Sequence, residues 1–533
     1  MNNAKYNLSG VLSVCLLALI TIVGCTDFEE LNTPDNELIA DNLESSQLGQ
    51  AFAQSQFVGM YGNPGAAPGA FQLSQSLYSD IYAQYFATTA TTFDSDQYVE
   101  IGRWTNGAWN YFYGSAAPQL EFVEDFTTEQ GMEVENAVAR VWRVQLYHRM
   151  TDYFGPIIYS EFGNGETSVA YDSQEEVYNN FFAVLDSAVT VLEANTGQNA
   201  FGNNDQVFEG SVDQWLTFAN SLRLRLAMRV RYVSPDLAQT EAEKAVAAGV
   251  MQSNADNATL LTTPNSRNPY TTITDWGEFR MSSAMESTLE GYEDPRMGKY
   301  FSQAVDGDAD GDGSPYEGMR NGLPVSQKDQ SALNAAYSDM GVDWLNDSRG
   351  GTNPRIRIMS SAEAYFLRAE GALLGWAMNG SAQELYEQGI RMSLMERTDA
   401  SSSAIDAYVA GNDTPISPDD VWDTPAMTDI PVAFDTGGSM ERKLEQIITQ
   451  KWLALYPNSK EAWAEFRRTG YPKLYPRINS LNPDIPVTGD FQRLTFVEDE
   501  YADNREAVMN AIELLGGEDE NTIKLWWDAK PEN

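Results

Sequence analysis

Apolar residues recur at steps of three and four along most of this chain. That spacing leaves little room for anything but paired helices. In SSAEAYFLRAEGALLGWAMNG, the residues Ala362, Tyr365, Phe366, Ala369, Leu373 and Trp376 fall on one helix face, because a turn takes 3.6 residues. Ser360 followed by Glu363 reads as a capping box at its start, and Asn379-Gly380 reads as its end. Ser381 with Glu384 opens a second apolar face bearing Leu385, Tyr386 and Ile390. Helices joined so closely must run antiparallel, and Ala369, Ala372 and Gly389 are small enough to let them approach. The expected fold class is mostly α, a scaffold of tetratricopeptide-like helix hairpins.

Other segments repeat the pattern. Ser173 and Glu176 cap a face of Val177, Tyr178, Phe181, Phe182, Leu185 and Leu192. VDQWLTFANSLRLRLAMRVRY and ERKLEQIITQKWLALYP each carry one apolar side, and SKEAWAEFRRTG closes on Gly470. No run alternates cleanly enough for a strand, and no strict repeat is present. Four irregular stretches interrupt the helices, at about 62–74, 262–278, 301–358 and 400–440. Loops of that length in a helical body are usually functional. The ligand-binding face is expected to be built from them.

The amino terminus carries a different signal. Val11 to Val23 is apolar and uncharged, the length of a signal-peptide core and short of the ~20 residues that span a bilayer. It ends in Ile22-Val23-Gly24-Cys25, with small residues ahead of a cysteine that acidic residues soon follow. The expected organisation is a lipoprotein signal peptide at 1–24, lipidation on Cys25, an acidic tether at 25–45 and one helical domain at 46–533. The other cysteine of the pair, Cys15, lies in the segment to be removed. A mature chain then has no internal disulfide, and its core must carry its stability.

Charge and composition exclude several functions. With 77 acidic and 34 basic residues the chain has a net charge of −43, which repels nucleic acid and anionic headgroups. The single histidine, His148, sits in a helical pattern and rules out most histidine-based metal or triad chemistry. There is no nucleophile elbow, phosphate loop or paired-cysteine motif. No pair of the 77 acids stands out as a glycosidase couple, so no catalytic residues are expected.

Ligand contacts are sought instead among aromatics on irregular or terminal segments, with polar neighbours: Trp104, Asn106 and Trp109; Asp275 and Trp276; Asp343 and Trp344. One further segment, DGDADGDGSPYE, is similar to a calcium loop. Asp306, Asp308, Asp310, Asp312, Ser314 and Glu317 fall at the ligand positions, with Gly311 at the turn. Gly313 and Pro315 depart from the usual pattern, and no flanking helix pair is evident. The expectation is a lone structural Ca²⁺ and no organic cofactor.

Read together, DYFGPIIYSE, YDSQEEVYNNFFAVLDSA, QWLTFANSLRLRLAMR, YEDPRMGKYF, AEAYFLRAEGALLGW, QKWLALYPNSKEAWAEFRRTGYPKL and KLWWD resemble, in sequence and order, the SusD/RagB family of outer-membrane lipoproteins. The resemblance spans about residues 46–528. It implies a helical scaffold with loop-built ligand contacts, a lipid anchor and exposure at the cell surface. It also implies a non-enzymatic role: capture of an oligosaccharide, or in some members a peptide, and transfer to a SusC-like TonB-dependent barrel transporter. A structural or adhesion lipoprotein is the alternative outside that role.

Overall fold

Serine caps open several of the helices in the computed structural model, which describes residues 45–61, 68–166, 168–308, 311–418 and 420–531. Its main helices are α1 (Ser45–Tyr61), α2 (Gly102–Tyr111), α3 (Ala117–Glu129), α4 (Glu133–Phe154) and α5 (Gln174–Ala194). Then follow α6 (Val212–Arg229), α7 (Pro235–Ala248), α8 (Ser283–Gly291), α9 (Ser361–Leu373) and α10 (Ala382–Arg397). The last are α11 (Ser402–Val409), α12 (Met440–Leu455), α13 (Ser459–Thr469) and α14 (Arg505–Leu515). Gly49–Asn533 forms one compact unit. Within it α4 packs on α5, α6 on α7 and α9 on α10, giving the expected tetratricopeptide-like hairpins, with α12 laid across α9.

The boxes at Ser173–Glu176 and Ser381–Glu384 form in full. The one at Ser360 forms by half. Ser360 Oγ accepts the Glu363 amide at 3.3 Å, but the Glu363 carboxylate turns away to bind Arg225 at 2.7 and 2.8 Å. The end of α9 also differs from expectation. The helix stops at Leu373, and Gly375 takes a left-handed φ of +84°, so the Trp376 amide closes on the Gly371 carbonyl at 3.0 Å. Trp376 therefore lies beyond the helix. The close approach of α9 and α10 is as expected: a Cβ on Gly389 would come within 2.9 Å of the Phe366 ring.

Short strands appear where none is legible. β1 (Phe86–Thr88) pairs antiparallel with β3 (Phe279–Met281), and β2 (Ala258–Leu260) with β4 (Ile356–Met359). Each joins distant segments and ties the irregular stretches to the helices. The stretches themselves hold a helix at Gln330–Ala336 and α11.

The helical core is aromatic and also ionic. Trp142, Trp215, Trp452, Trp463 and Trp527 are fully buried. Between them runs a web of paired charges. Arg225 binds Glu363; Arg229 reaches Glu461, Glu465 and Asp152; Arg231 binds Glu370. Arg468 bridges Glu370 at 2.7 Å and Glu465 at 2.6 Å, and Lys451 meets Glu465 at 3.0 Å. Cations and carboxylates match in number, so the web is neutral. Such pairs add little net stability, but removing one partner strands a buried charge at a cost of about 3–5 kcal/mol. His148 lies beside this web, buried, with Nδ1 3.1 Å from the Val144 carbonyl oxygen. Burial and the nearby Arg225 and Arg229 hold its pKa well below the usual histidine value. Its role is structural.

Candidate functional site

Two of the irregular stretches converge on one exposed indole. Trp276 ends a short 3₁₀ turn, Thr274–Trp276, and Gly277 at φ +63° swings the chain into β3. That left-handed backbone favours glycine, and a Cβ there would have to push aside the tip of the Asn334 side chain. Hydrogen bonds fix the turn. The Gly277 carbonyl accepts from Thr89 Oγ1 at 2.7 Å and Gln330 Nε2 at 3.0 Å. The Glu278 carbonyl accepts from Thr88 Oγ1 at 2.8 Å and the Thr89 amide at 2.9 Å. On this support the Trp276 side chain stands 39% exposed.

Polar groups lie on the same stitched loops. Asp275 accepts from Asn346 Nδ2 and, at 3.3 Å, from Arg349 Nη1. Arg349 Nη2 also donates to Asp339 at 2.7 Å. Thr352 Oγ1 donates to Asp343 at 2.9 Å, and Arg267 clasps Asp347 through both terminal nitrogens. Gln72 donates to Glu278 at 2.6 Å, and burial raises that carboxyl's pKa. The result is an exposed indole on loops that also carry carboxylate, amide and guanidinium groups. Such a surface can hold a sugar ring, with C–H groups against the indole and hydroxyls toward the polar rim.

Of the residues singled out in the sequence, Asp275, Trp276 and Asp343 lie on these stitched loops. Trp344 shares the loop but is 4% exposed, its ring edge-on to Tyr456 at 5.6 Å and near the Arg397 guanidinium. Trp104 and Trp109 need correction. They lie on α2, not on an irregular segment, and are 5% and 2% exposed. Trp109 packs on Tyr113, Phe154 and Tyr171, and Trp104 meets Phe93 edge-on at 5.6 Å. Both are core residues. Asn106 ties α2 to Asp499 at 3.1 Å. The reading of the sequence missed Asn346, Arg349, Gln72 and Glu278, because only pairing across about 70 or more residues assembles them. It also missed Trp422, 39% exposed, with the Arg320 guanidinium 5.8 Å from its ring centre. Cys25 lies outside the described residues.

The 306–317 loop is held chiefly by its own backbone. Asp308 accepts the Gly311 amide at 2.7 Å and the Gly313 amide at 3.1 Å, and Asp312 accepts the Ser314 amide at 2.7 Å. Ser314 Oγ accepts the Tyr316 amide at 3.3 Å, and the Asp306 amide donates to Ala335 at 3.0 Å. Glu317 is buried. Its donors have the oxygen chemistry of a calcium site, yet among the described residues no three metal-binding side chains converge. Asp310 lies outside them.

No helix among the described residues is long and apolar enough to cross a membrane. The family model "SusD-like: Susd and RagB outer membrane lipoprotein" matches residues 30–528. Among solved structures the chain is similar to a chitin-binding SusD homologue from Flavobacterium johnsoniae. That pair shares 36% identity, covers 91% of this chain and 99% of that one, and has a TM-score of 0.82. A SusD homologue from Bacteroides vulgatus is 31% identical, with 92% and 99% covered and a TM-score of 0.83. Another, from Bacteroides thetaiotaomicron, is 32% identical, with 92% and 100% covered and a TM-score of 0.81. A search of curated proteins gave no match.

Proposed function

This chain belongs to the SusD/RagB family of outer-membrane lipoproteins, and from that premise we propose that it captures an oligosaccharide at the cell surface and passes it to a SusC-like, TonB-dependent transporter. Capture is by binding alone, without covalent chemistry. Trp276 carries the proposal: an exposed indole on a turn that four hydrogen bonds hold still. A preformed platform spends little affinity on ordering. Asp275, Asn346 and Arg349 are the hydrogen-bonding partners in this reading, with Asp343 bracing the loop through Thr352. The chitin-binding relative makes chitooligosaccharides the first ligands to test. Titration with these, other oligosaccharides and peptides, followed by tryptophan fluorescence, is expected to show saturable binding. Trp276→Ala is expected to weaken it at least tenfold, about 1.4 kcal/mol, with Tm unchanged. Saturable binding of peptides alone, release of reducing ends, or an unaffected Trp276→Ala variant would overturn the reading.

Calcium enters as a structural accessory. The 306–317 loop docks on Ala335 of the Gln330–Ala336 helix, and Gln330 holds the Gly277 carbonyl. A cation that gathers Asp306, Asp308, Asp310, Asp312, Ser314 and Glu317 would steady that helix and, through Gln330, the Trp276 turn. Adding calcium to chelator-treated protein is then expected to raise Tm, since a ligand of the folded state alone stabilises it. Identical melting with and without chelator removes calcium from the proposal.

A further inference from the structure

Four arginines and one carboxylate line a cavity of about 270 Å³. Arg149 comes from α4, Arg355 and Arg357 from the edge and body of β4, and Arg397 from the last position of α10. The carboxylate is Glu396, which accepts from Arg357 Nη2. Arg397 donates to the Tyr456 carbonyl at 3.0 Å and Arg149 to the Gly59 carbonyl at 3.0 Å. Those are neutral partners and offset no charge. Nε and Nη1 of Arg357 and Nε of Arg397 are buried with no hydrogen-bond partner. The ionic web of the helical core also has buried nitrogens without hydrogen-bond partners, on Arg229, Arg231 and Lys451, but there each cation has a carboxylate within ion-pair distance.

An excess of positive charge inside a chain of net charge −43 is a specific expense. Burial lowers the pKa of Arg149 to about 10 and lowers that of Arg397, which the neighbouring Arg357 charge lowers further. Lys460 nearby is depressed by burial and by Arg149. Glu396 tends upward by burial, but Arg357 and Arg397 hold it below the ordinary carboxylate value, so it is already ionised. Among the lining side chains three guanidinium charges are left over, with Glu461 acting on Arg149 and Glu209 and Asp205 on Arg355 from outside the lining. Guanidinium groups are best satisfied by planar or tetrahedral oxyanions.

We propose that this cavity is an anion site, distinct from the Trp276 face, that binds a carboxylate, sulfate or phosphate group through Arg355, Arg357, Arg397 and Arg149. Its volume leaves room for the anion and part of whatever bears it. Arg355 is exposed at the mouth and tied to Thr259 at 2.8 Å, where an arriving anion meets it first. The anion is either free or carried on an acidic saccharide.

The test is calorimetric titration of the full chain, at ionic strength held constant with chloride, using inorganic sulfate, inorganic phosphate, glucuronate and, as control, glucose. Saturable binding of at least one anion and none of glucose is expected. Sulfate or phosphate binding identifies a free ion, and glucuronate binding alone identifies an acidic saccharide. Arg355→Gln, at the exposed mouth, and Arg397→Gln are each expected to weaken binding about tenfold, with Arg355→Lys recovering part of the loss. Trp276→Ala is expected to leave anion affinity unchanged, which separates this site from the glycan face. No saturable anion binding below about 10 mM, or binding indifferent to Arg355→Gln in protein of unchanged Tm, overturns the proposal.

Discussion

His148 shows how much one side chain can impose. Its ring is buried, and its pKa is held well below the ordinary value of about 6.5 by burial and by two arginines. Below pH 6.5 the unfolded chain takes up a proton that the folded chain refuses, so stability falls as pH falls. The slope from this one group reaches about 1.4 kcal/mol per pH unit. Asp80 works the other way: burial pushes its carboxyl up to about 6, despite hydrogen bonds from Ser459 and Tyr270. It contributes stability that is lost as pH rises from about 4 through 6. The two are separated by difference. Urea unfolding is expected to show the parent losing more stability, or gaining less, between pH 7.0 and pH 5.0 than His148→Gln does; equal changes would refute this. The single histidine was legible as structural because its helical setting is local. Trp104 and Trp109 were not, because their burial depends on Phe93 and Tyr171 in other segments. Trp276 was legible as an aromatic on a loop; its rim of Asn346 and Arg349 was not.

At the scale of elements, local start signals were accurate, the Asn379-Gly380 stop overran the true end of α9 at Leu373, and long-range signals were invisible. Ser173 and Ser381 cap as their spacing demands, since both partners lie within one turn. Glu363 fails to complete its box because Arg225, 138 positions away, takes its carboxylate. Strands of three or four residues cannot show a period, so β1–β4 went unread although they anchor the ligand face. Two substitutions separate the kinds of constraint on the α9–α10 hairpin. Ser381→Ala removes a cap and is expected to cost about 1 kcal/mol. Gly389→Ala pushes a methyl to within 2.9 Å of Phe366 and is expected to cost about 1–3 kcal/mol by overpacking, although alanine is the better helix former. Chemical denaturation measures both. A stabilised Gly389→Ala variant would mean that the helices can part at no expense.

The whole molecule pairs a strongly acidic chain with a core whose charges balance. Its attachment is expected at Cys25, ahead of the helical unit. Labelling cells with a palmitate analogue is expected to mark the parent and leave Cys25→Ala unmarked and released from the membrane; equal labelling of both refutes the anchor. The buried ionic web has a further consequence for how such a protein is made. Arg225 and Arg229 find their carboxylates 138 and 232 residues downstream. A nascent or translocating strand therefore carries two arginines, solvated by water, whose shortest buried ion pairs are completed only by later segments. The helices that bear them close over those charges only when the carboxylates of α9 and α13 are in place, which ties the closing of the core to the later helices.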